Sequence, residues 1–166
     1  MPSKKKMTTL HDLLLHELMD LLDAEERILK ALPKMAKAAS SRELREAFDE
    51  HLLQTEGHVE RLRKVFRLLR KPAKRQRCDG MKGLIEEGAK AMKEPMDDEV
   101  RDAALIAAAQ RVEHYEIAGY GTARTFARML GKDEAAELLQ ETLDEEGETD
   151  HLLTEIAETM VNPAAR

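Results

Sequence analysis

The sequence predicts an all-α fold, a bundle of four long helices with one long connection between the second and the third. Three observations predict it. Charged residues make up 36% and apolar residues 42% of 166 positions, with only 8 Gly and 5 Pro. That mixture favours long amphipathic helices and gives no support for a sheet. Apolar residues recur at helical spacing in four separate stretches. The turn signals at Ser40-Ser41 and Gly131 are tight, whereas the segment from 70 to 96 is long. The length suits one domain, with residues 1–7 expected as a disordered basic tail and residues 8–162 as the bundle.

The first helix, α1, is predicted from a cap at Thr8 or Thr9 to about Ala39. Its stripe is Leu14, Leu18, Leu21, Leu22, Ile28, Leu29 and Leu32, and Glu25 sits inside it. Pro33 is expected to bend α1 or weaken its last turn. Ser40-Ser41 supplies a turn and a cap for α2, about 42–70, with stripe Leu44, Phe48, Leu62, Val65 and Leu69. The middle of that stripe is polar: His51, Gln54, Thr55 and His58 take the inward positions. Residues 70–77 form a basic connection in which Pro72 bars further helix. A short helix, α3, follows over about 79–92, facing inward through Met81, Leu84, Ile85 and Met92, and Pro95 closes the connector. Helix α4, about 97–130, carries Ile106, Ala109, Ile117, Ala118 and Phe126 on one face and stops at Gly131. Asp133 is expected to cap α5, about 134–161, with stripe Leu139, Leu143, Leu153, Ile156 and Met160. Glu146 and Asp150 lie inside that stripe, and Asn162-Pro163 ends it.

Thirty helical residues span about 45 Å, a distance the segment 71–96 can cover. Helix α4 can therefore start back at the far end and run parallel to α2. One long crossover in a four-helix bundle is the ferritin-like arrangement; an up-down bundle with an ornate loop is the alternative.

Composition narrows the function classes. A formal net charge of −6 argues against a general nucleic-acid binder. The basic start at Lys4–Lys6 is read as a solvated leader. The single Cys78 rules out an intramolecular disulfide, fits a reducing cytoplasm and has no partner at catalytic spacing. His11, Asp12, His16 and Glu17 interrupt the early leucines, so no signal sequence is read there, and no run approaches transmembrane length. The expected location is the cytoplasm. There is neither a Gly-rich phosphate loop nor a Ser-His-Asp arrangement.

Distances from the two tight turns give each polar stripe residue its height. From Ser40, Glu25 lies fifteen residues back, Gln54 fourteen forward and His58 eighteen forward. From Gly131, Glu116 lies fifteen back, Glu113 eighteen back, Glu146 fifteen forward and Asp150 nineteen forward. All fall near mid-helix. The halves match: Glu25 to His58 is 33 residues, Glu116 to Asp150 is 34, and Gln54–His58 and Glu146–Asp150 are both i, i+4 pairs. Carboxylates with a histidine, contributed by four helices at one depth, are costly to bury without a cation. No Lys or Arg is placed as regularly on those stripes. Metal ions meet the need, and oxygen-rich ligands with imidazole suit iron or manganese. The metal candidates are Glu25, Gln54, His58, Glu113, Glu116, Glu146 and Asp150. A polar layer satisfied by hydrogen bonds and water is the alternative. His51 and His114 are candidates to orient a ligating carboxylate, and Tyr115 to relay electrons or protons beside the site.

Four stretches carry a family resemblance: His51-Leu-Leu-Gln-Thr-Glu-Gly-His58, Arg101-Asp-Ala-Ala-Leu-Ile-Ala-Ala-Ala-Gln110, Val112-Glu-His-Tyr-Glu-Ile-Ala-Gly-Tyr-Gly-Thr122 and Glu141-Thr-Leu-Asp-Glu-Glu146. Over about residues 8–162 the chain resembles the YciE/YciF-type branch of the ferritin-like superfamily. The resemblance implies a ferritin-like four-helix bundle, a two-metal centre and a ferroxidase or stress-response role. Carried over by position, the carboxylates are Glu25, Glu113, Glu116 and Glu146, with Asp150 completing α5. Helix α2 departs from the pattern, with Gln54 where such proteins often carry Glu. The leading expectation is thus a centre of two Fe ions, or two Mn ions, that oxidises Fe(II) with dioxygen or peroxide. A rubrerythrin-like or manganese-catalase-like consumer of peroxide is a second reading. A stress-associated structural or interaction bundle without catalysis is a third. A homodimer is expected in preference to a cage, since nothing advertises cage-forming contacts.

Overall fold

A computed structural model describes residues 6–166. The basic tail expected over 1–7 falls mostly outside the described residues, and Lys6 and Met7 precede the first helix. Helix α1 spans Leu10–Ala38. Thr9 caps it reciprocally: its hydroxyl accepts from the Asp12 N–H and the Asp12 carboxylate accepts from the Thr9 N–H, both at 3.1 Å. Pro33 is exposed, and α1 runs through it to Ala38; the Ala39 N–H still reaches the Met35 carbonyl at 3.0 Å. Helix α2 spans Arg42–Leu68, and the Ser41 hydroxyl accepts from the Leu44 N–H.

Helix α4 spans Asp98–Met129 and α5 spans Asp133–Ile156. Two of the helix ends close in the same way. After α4, Gly131 takes φ +66°, and the N–H groups of Gly131 and Lys132 reach the carbonyls of Arg128 and Ala127. After α2, Arg70 takes φ 54°, and Arg70 and Lys71 reach Arg67 and Phe66. Both are Schellman closures. The first of them corrects the expected cap of α5. Lys132 ends the turn and holds the capping position, so Asp133 becomes the first helical residue. The chain also stays helical beyond Ile156, through a π-turn at Ala157–Val161 and a last short turn, Asn162–Ala164. Pro163 is tolerated there because it lies in the first turn of that segment.

Helix α3, Asp79–Ala91, sits in the crossover. Its cap is Cys78, whose buried sulfur accepts from the Met81 N–H at 3.3 Å. The crossover climbs α1 by polar contacts: Gln76 N–H to the Met19 carbonyl at 3.0 Å and Cys78 N–H to Asp23 Oδ2 at 2.8 Å. Gly80 lets α3 close on α4, since a Cβ there would stand 2.6 Å from the Tyr115 ring. The upper end is tied by Asp102, near the start of α4, whose two oxygens accept from the Ser40 and Ser41 N–H groups at 2.8 and 2.7 Å. Helix α4 therefore begins beside the α1–α2 turn and runs parallel to α2. This is the ferritin-like connection, and the up-down alternative is excluded.

The core has two apolar halves. One gathers Ile28, Leu32, Phe48, Leu105 and Leu153; the other gathers Leu14, Leu18, Leu62, Phe66 and Leu139. Between them lies a buried polar waist. Among the described residues there is no strand, and no helix is long and apolar enough to cross a membrane.

Candidate metal centre

The waist is built by one inward residue or pair from each long helix. Helix α1 contributes Glu25, α2 contributes His51 and His58, α4 contributes Glu113 and Glu116, and α5 contributes Glu146. All six are at most 3% exposed. His51 and His58 are seven residues apart, two turns along one face. Glu113 and Glu116 are three apart and share the face of α4 that meets α5 and α1.

These side chains form two adjoining groups. Ligand atoms of Glu25, His58, Glu116 and Glu146 lie within 4.8 Å of one another, as do those of His51, Glu113 and Glu146. Glu146 belongs to both, so one carboxylate stands between two potential cation positions. His58 Nδ1 is 3.0 Å from Glu146 Oε1 and 3.3 Å from Glu25 Oε1; His51 Nε2 is 3.2 Å from Glu113 Oε1. Behind the first group, the Tyr120 hydroxyl donates to Glu25 Oε1.

Hydrogen bonds leave much of this layer unmet. Both oxygens of Glu116, Glu146 Oε2, Glu25 Oε2 and Glu113 Oε2 are buried without a hydrogen bond, and Glu146 Oε1 has only the His58 Nδ1 contact. An ionised carboxylate in that condition is strongly disfavoured, and the titration behaviour reflects it. Burial pushes Glu113 up to about 7. Burial, with Glu113 beside it, raises Glu146 to about 7. Glu116 goes well above the carboxylate range through burial and the nearby Glu25 and Glu146. Burial opposes protonation of His58, but its bonds to Glu146 and Glu25 prevail and lift it to about 10. Without another cation, the waist therefore holds protons. A donor set of four carboxylates and two imidazoles suits iron or manganese, and the orphaned oxygens are the atoms such ions would engage.

A support shell surrounds the groups. His58 Nε2 is 2.8 Å from Glu145 Oε2, so the imidazole faces the waist through Nδ1 and Glu145 through Nε2. Arg61 grips Glu145 with two guanidinium nitrogens, at 2.7 and 2.6 Å, and holds its carboxyl below the usual range.

A family model described as "Domain of unknown function (DUF892)" matches residues 9–166. The chain belongs to the DUF892 family. Its sequence is 48% identical over 160 residues, 96% of each chain, to Protein YciF of Escherichia coli K12. The crystal structure of the E. coli stress protein YciF superposes with a TM-score of 0.91, covering 94% of this chain and 99% of that one. YcfI of Rhodopseudomonas palustris, 41% identical, gives 0.89 and covers 91% and 96%. A two-domain Anabaena variabilis protein with DJ-1/ThiJ/PfpI-like and ferritin-like domains gives 0.61 at 17% identity, over 93% of this chain and 38% of that one. That last likeness concerns the fold alone.

In this DUF892 chain, five of the seven residues marked by spacing as metal candidates converge: Glu25, His58, Glu113, Glu116 and Glu146. Asp150 belongs to neither group, and Gln54 turns its amide oxygen to Thr149 and His51. A helix turns about 100° per residue, so Gln54 is about 60° from His51, the same offset that joins Glu113 to Glu116, and its partners rather than its rotation draw it aside. Its Oε1 accepts from Thr149 Oγ1 at 3.1 Å and lies 3.2 Å from His51 Nδ1. Gln54 thus orients His51, the reverse of the expected arrangement, and His51 brings its other nitrogen to Glu113. Asp150, rotated about 40° from Glu146, meets the exposed His114 at 3.0 Å. His114 therefore touches neither group. The Tyr115 hydroxyl points to α1 and the crossover, donating to Asp20 at 2.7 Å and lying 3.0 Å from Cys78 Sγ. Glu145 and Asp102 lie in stretches that carry the resemblance, but nothing in the sequence marks either for a role of its own. The two-turn spacing of His51 and His58 could have marked His51; nothing in Asp144-Glu145-Glu146 tells which glutamate faces inward.

Proposed function

We propose that this chain is a stress-associated ferritin-like protein that takes up two Fe(II) ions at the waist and oxidises them with peroxide or dioxygen. The observation that carries the reading is the convergence of four carboxylates and two imidazoles into two groups sharing Glu146, with buried oxygens left unbonded. Glu25, His58, Glu116 and Glu146 would hold one ion; His51, Glu113 and Glu146 would hold the other. Bound there, iron supplies one electron per ion; two Fe(II) reduce one peroxide to two hydroxides, or one dioxygen and two protons to one peroxide. The chain supplies the rest. The anionic ligands favour Fe(III), the apolar halves of the core limit water, and the Gln54–His51 and Glu145–His58 contacts set the imidazole orientations. Tyr120 keeps one oxygen of Glu25 fixed. Manganese suits the same donor set, and turnover of peroxide without net iron uptake would mark that catalase-like variant. The relation to the stress protein YciF supports the physiological setting.

The test is iron content per chain after anaerobic Fe(II) loading, followed by stopped-flow absorbance on addition of peroxide. Two iron ions per chain and a Fe(III) signal that Glu116→Ala abolishes, with helicity retained, are expected. A wild-type chain that retains no iron would sink the reading and leave the waist as a structural layer of protonated carboxylates.

A further inference from the structure

A cavity of about 430 Å³ opens on the side of the bundle between α1, α3 and α4, and Glu113 forms part of its lining. Its volume falls within the range of small-molecule sites, about 300–1,000 Å³, and is far more than peroxide or dioxygen requires. It lies where α3 packs against α1 and α4. Ile28 and Leu32 of α1 and Leu84 and Ile85 of α3 give it an apolar lining. Along α1 the lining runs from Asp23 to Met35, about 18 Å of helix, so the space is elongated.

The rim carries charge of one unsatisfied sign. Arg27 is paired with Asp23, Arg75 with Glu26 and Lys82 with Glu86. Lys30 and Lys34, one turn apart on α1, are exposed, line the same cavity and have no ion pair among the described residues. Asp23, Glu26 and Glu86 are therefore each paired and the remaining lining carboxylate, Glu113, stands beside His51, while two cations are free. An occupant with an apolar body and an anionic head satisfies both features: its chain covers the aliphatic walls and its head meets the two ammonium groups. A neutral apolar molecule leaves Lys30 and Lys34 unused, and a compact anion leaves the walls wet.

We infer that the α1–α3–α4 cavity is a binding site for an aliphatic carboxylate, with its head at Lys30 and Lys34 and its chain against Ile28, Leu32, Leu84 and Ile85. Because Glu113 closes part of the lining, the occupant lies beside the second cation position and covers that flank of the waist. The site stands whether or not the waist oxidises iron.

Isothermal titration of the full chain with decanoate, in metal-free form and after Fe(II) loading, tests this. Saturable binding of one decanoate per chain is expected in the metal-free form, with decanol at least tenfold weaker. Lys30→Glu combined with Lys34→Glu should weaken decanoate at least tenfold and leave decanol unchanged. Ala31→Phe, a half-buried position on the cavity wall, should weaken both ligands while circular dichroism stays constant. Absence of saturable decanoate binding overturns the inference, as does equal binding of decanol, or binding indifferent to both variants. The metal-free titration is read without iron chemistry, so a failure of iron oxidation and a failure of this site give different results.

Discussion

His58 meets three carboxylates with two nitrogens. Nδ1 faces Glu146 and Glu25, and Nε2 faces Glu145, which Arg61 holds from the partly exposed side. A metal-facing Nδ1 requires the proton on Nε2, and Glu145 accepts it there. Glu145→Ala removes that acceptor and frees Arg61. Metal affinity, read by Co(II) absorbance titration, should fall about tenfold to a hundredfold. Glu145→Gln keeps an acceptor oxygen and should fall less. Equal affinity in both variants and the parent would show that Glu145 orients nothing. The sequence could not single out this residue. Glu145 and Glu146 are neighbours on one helix, and only the packing of α5 against α2 decides which points at the waist and which at Arg61.

Helix ends show where local chemistry suffices and where it does not. Thr9, Ser41 and Gly131 act as their residue types suggest, because a capping hydroxyl or a left-handed glycine needs only its own neighbours. Asp102 is different: it caps a turn sixty residues away by accepting two N–H groups. It is 3% exposed, so the bonds are not exchanged easily for water. Asp102→Ala leaves both amides without their partner and should cost about 3 kcal/mol, lowering Tm by roughly 6 to 12 °C. Asp102→Asn retains one acceptor and should recover part of that loss. Scanning calorimetry reads both, and a Tm unchanged in the alanine variant would show that the crossover is not tied there.

At the scale of the whole molecule, the waist couples folding to protons, and the proposed metal would compete with them. Glu113 and Glu146 titrate near 7 in the fold, above the ordinary carboxylate value of 4.5, and His58 near 10, above 6.5. The native chain therefore binds more protons than the unfolded chain from about pH 4.5 to 7 through the carboxylates. From about 6.5 to 10 it does so through His58. Stability of the metal-free protein should fall as pH rises through both windows. Metal bound in the proposed centre would displace those protons, so affinity should rise over the same span. The gain in Tm on adding Mn(II) should be larger at pH 7.5 than at pH 5.5, while metal-free Tm should be higher at pH 5.5. Differential scanning fluorimetry in both buffers checks the two slopes, and a metal-free Tm that climbs toward pH 7.5 would contradict the protonated waist.

The sequence by itself determined the four long helices, the two tight turns, the long crossover and the depth of the polar layer. Those follow from periodicity, turn residues and the fixed rise of 1.5 Å per helical residue. Only the tertiary structure decided azimuth: that Gln54 and Asp150 turn aside, that His51 enters, that Glu145 backs His58, and that α1, α3 and α4 leave a cavity between them. Spacing counts height along a helix closely, but a rotation of about 40 to 60° between stripe residues is smaller than the width of an apolar face. Which polar side chain enters the waist is settled by the neighbouring helix, because only there does it find, or fail to find, a partner.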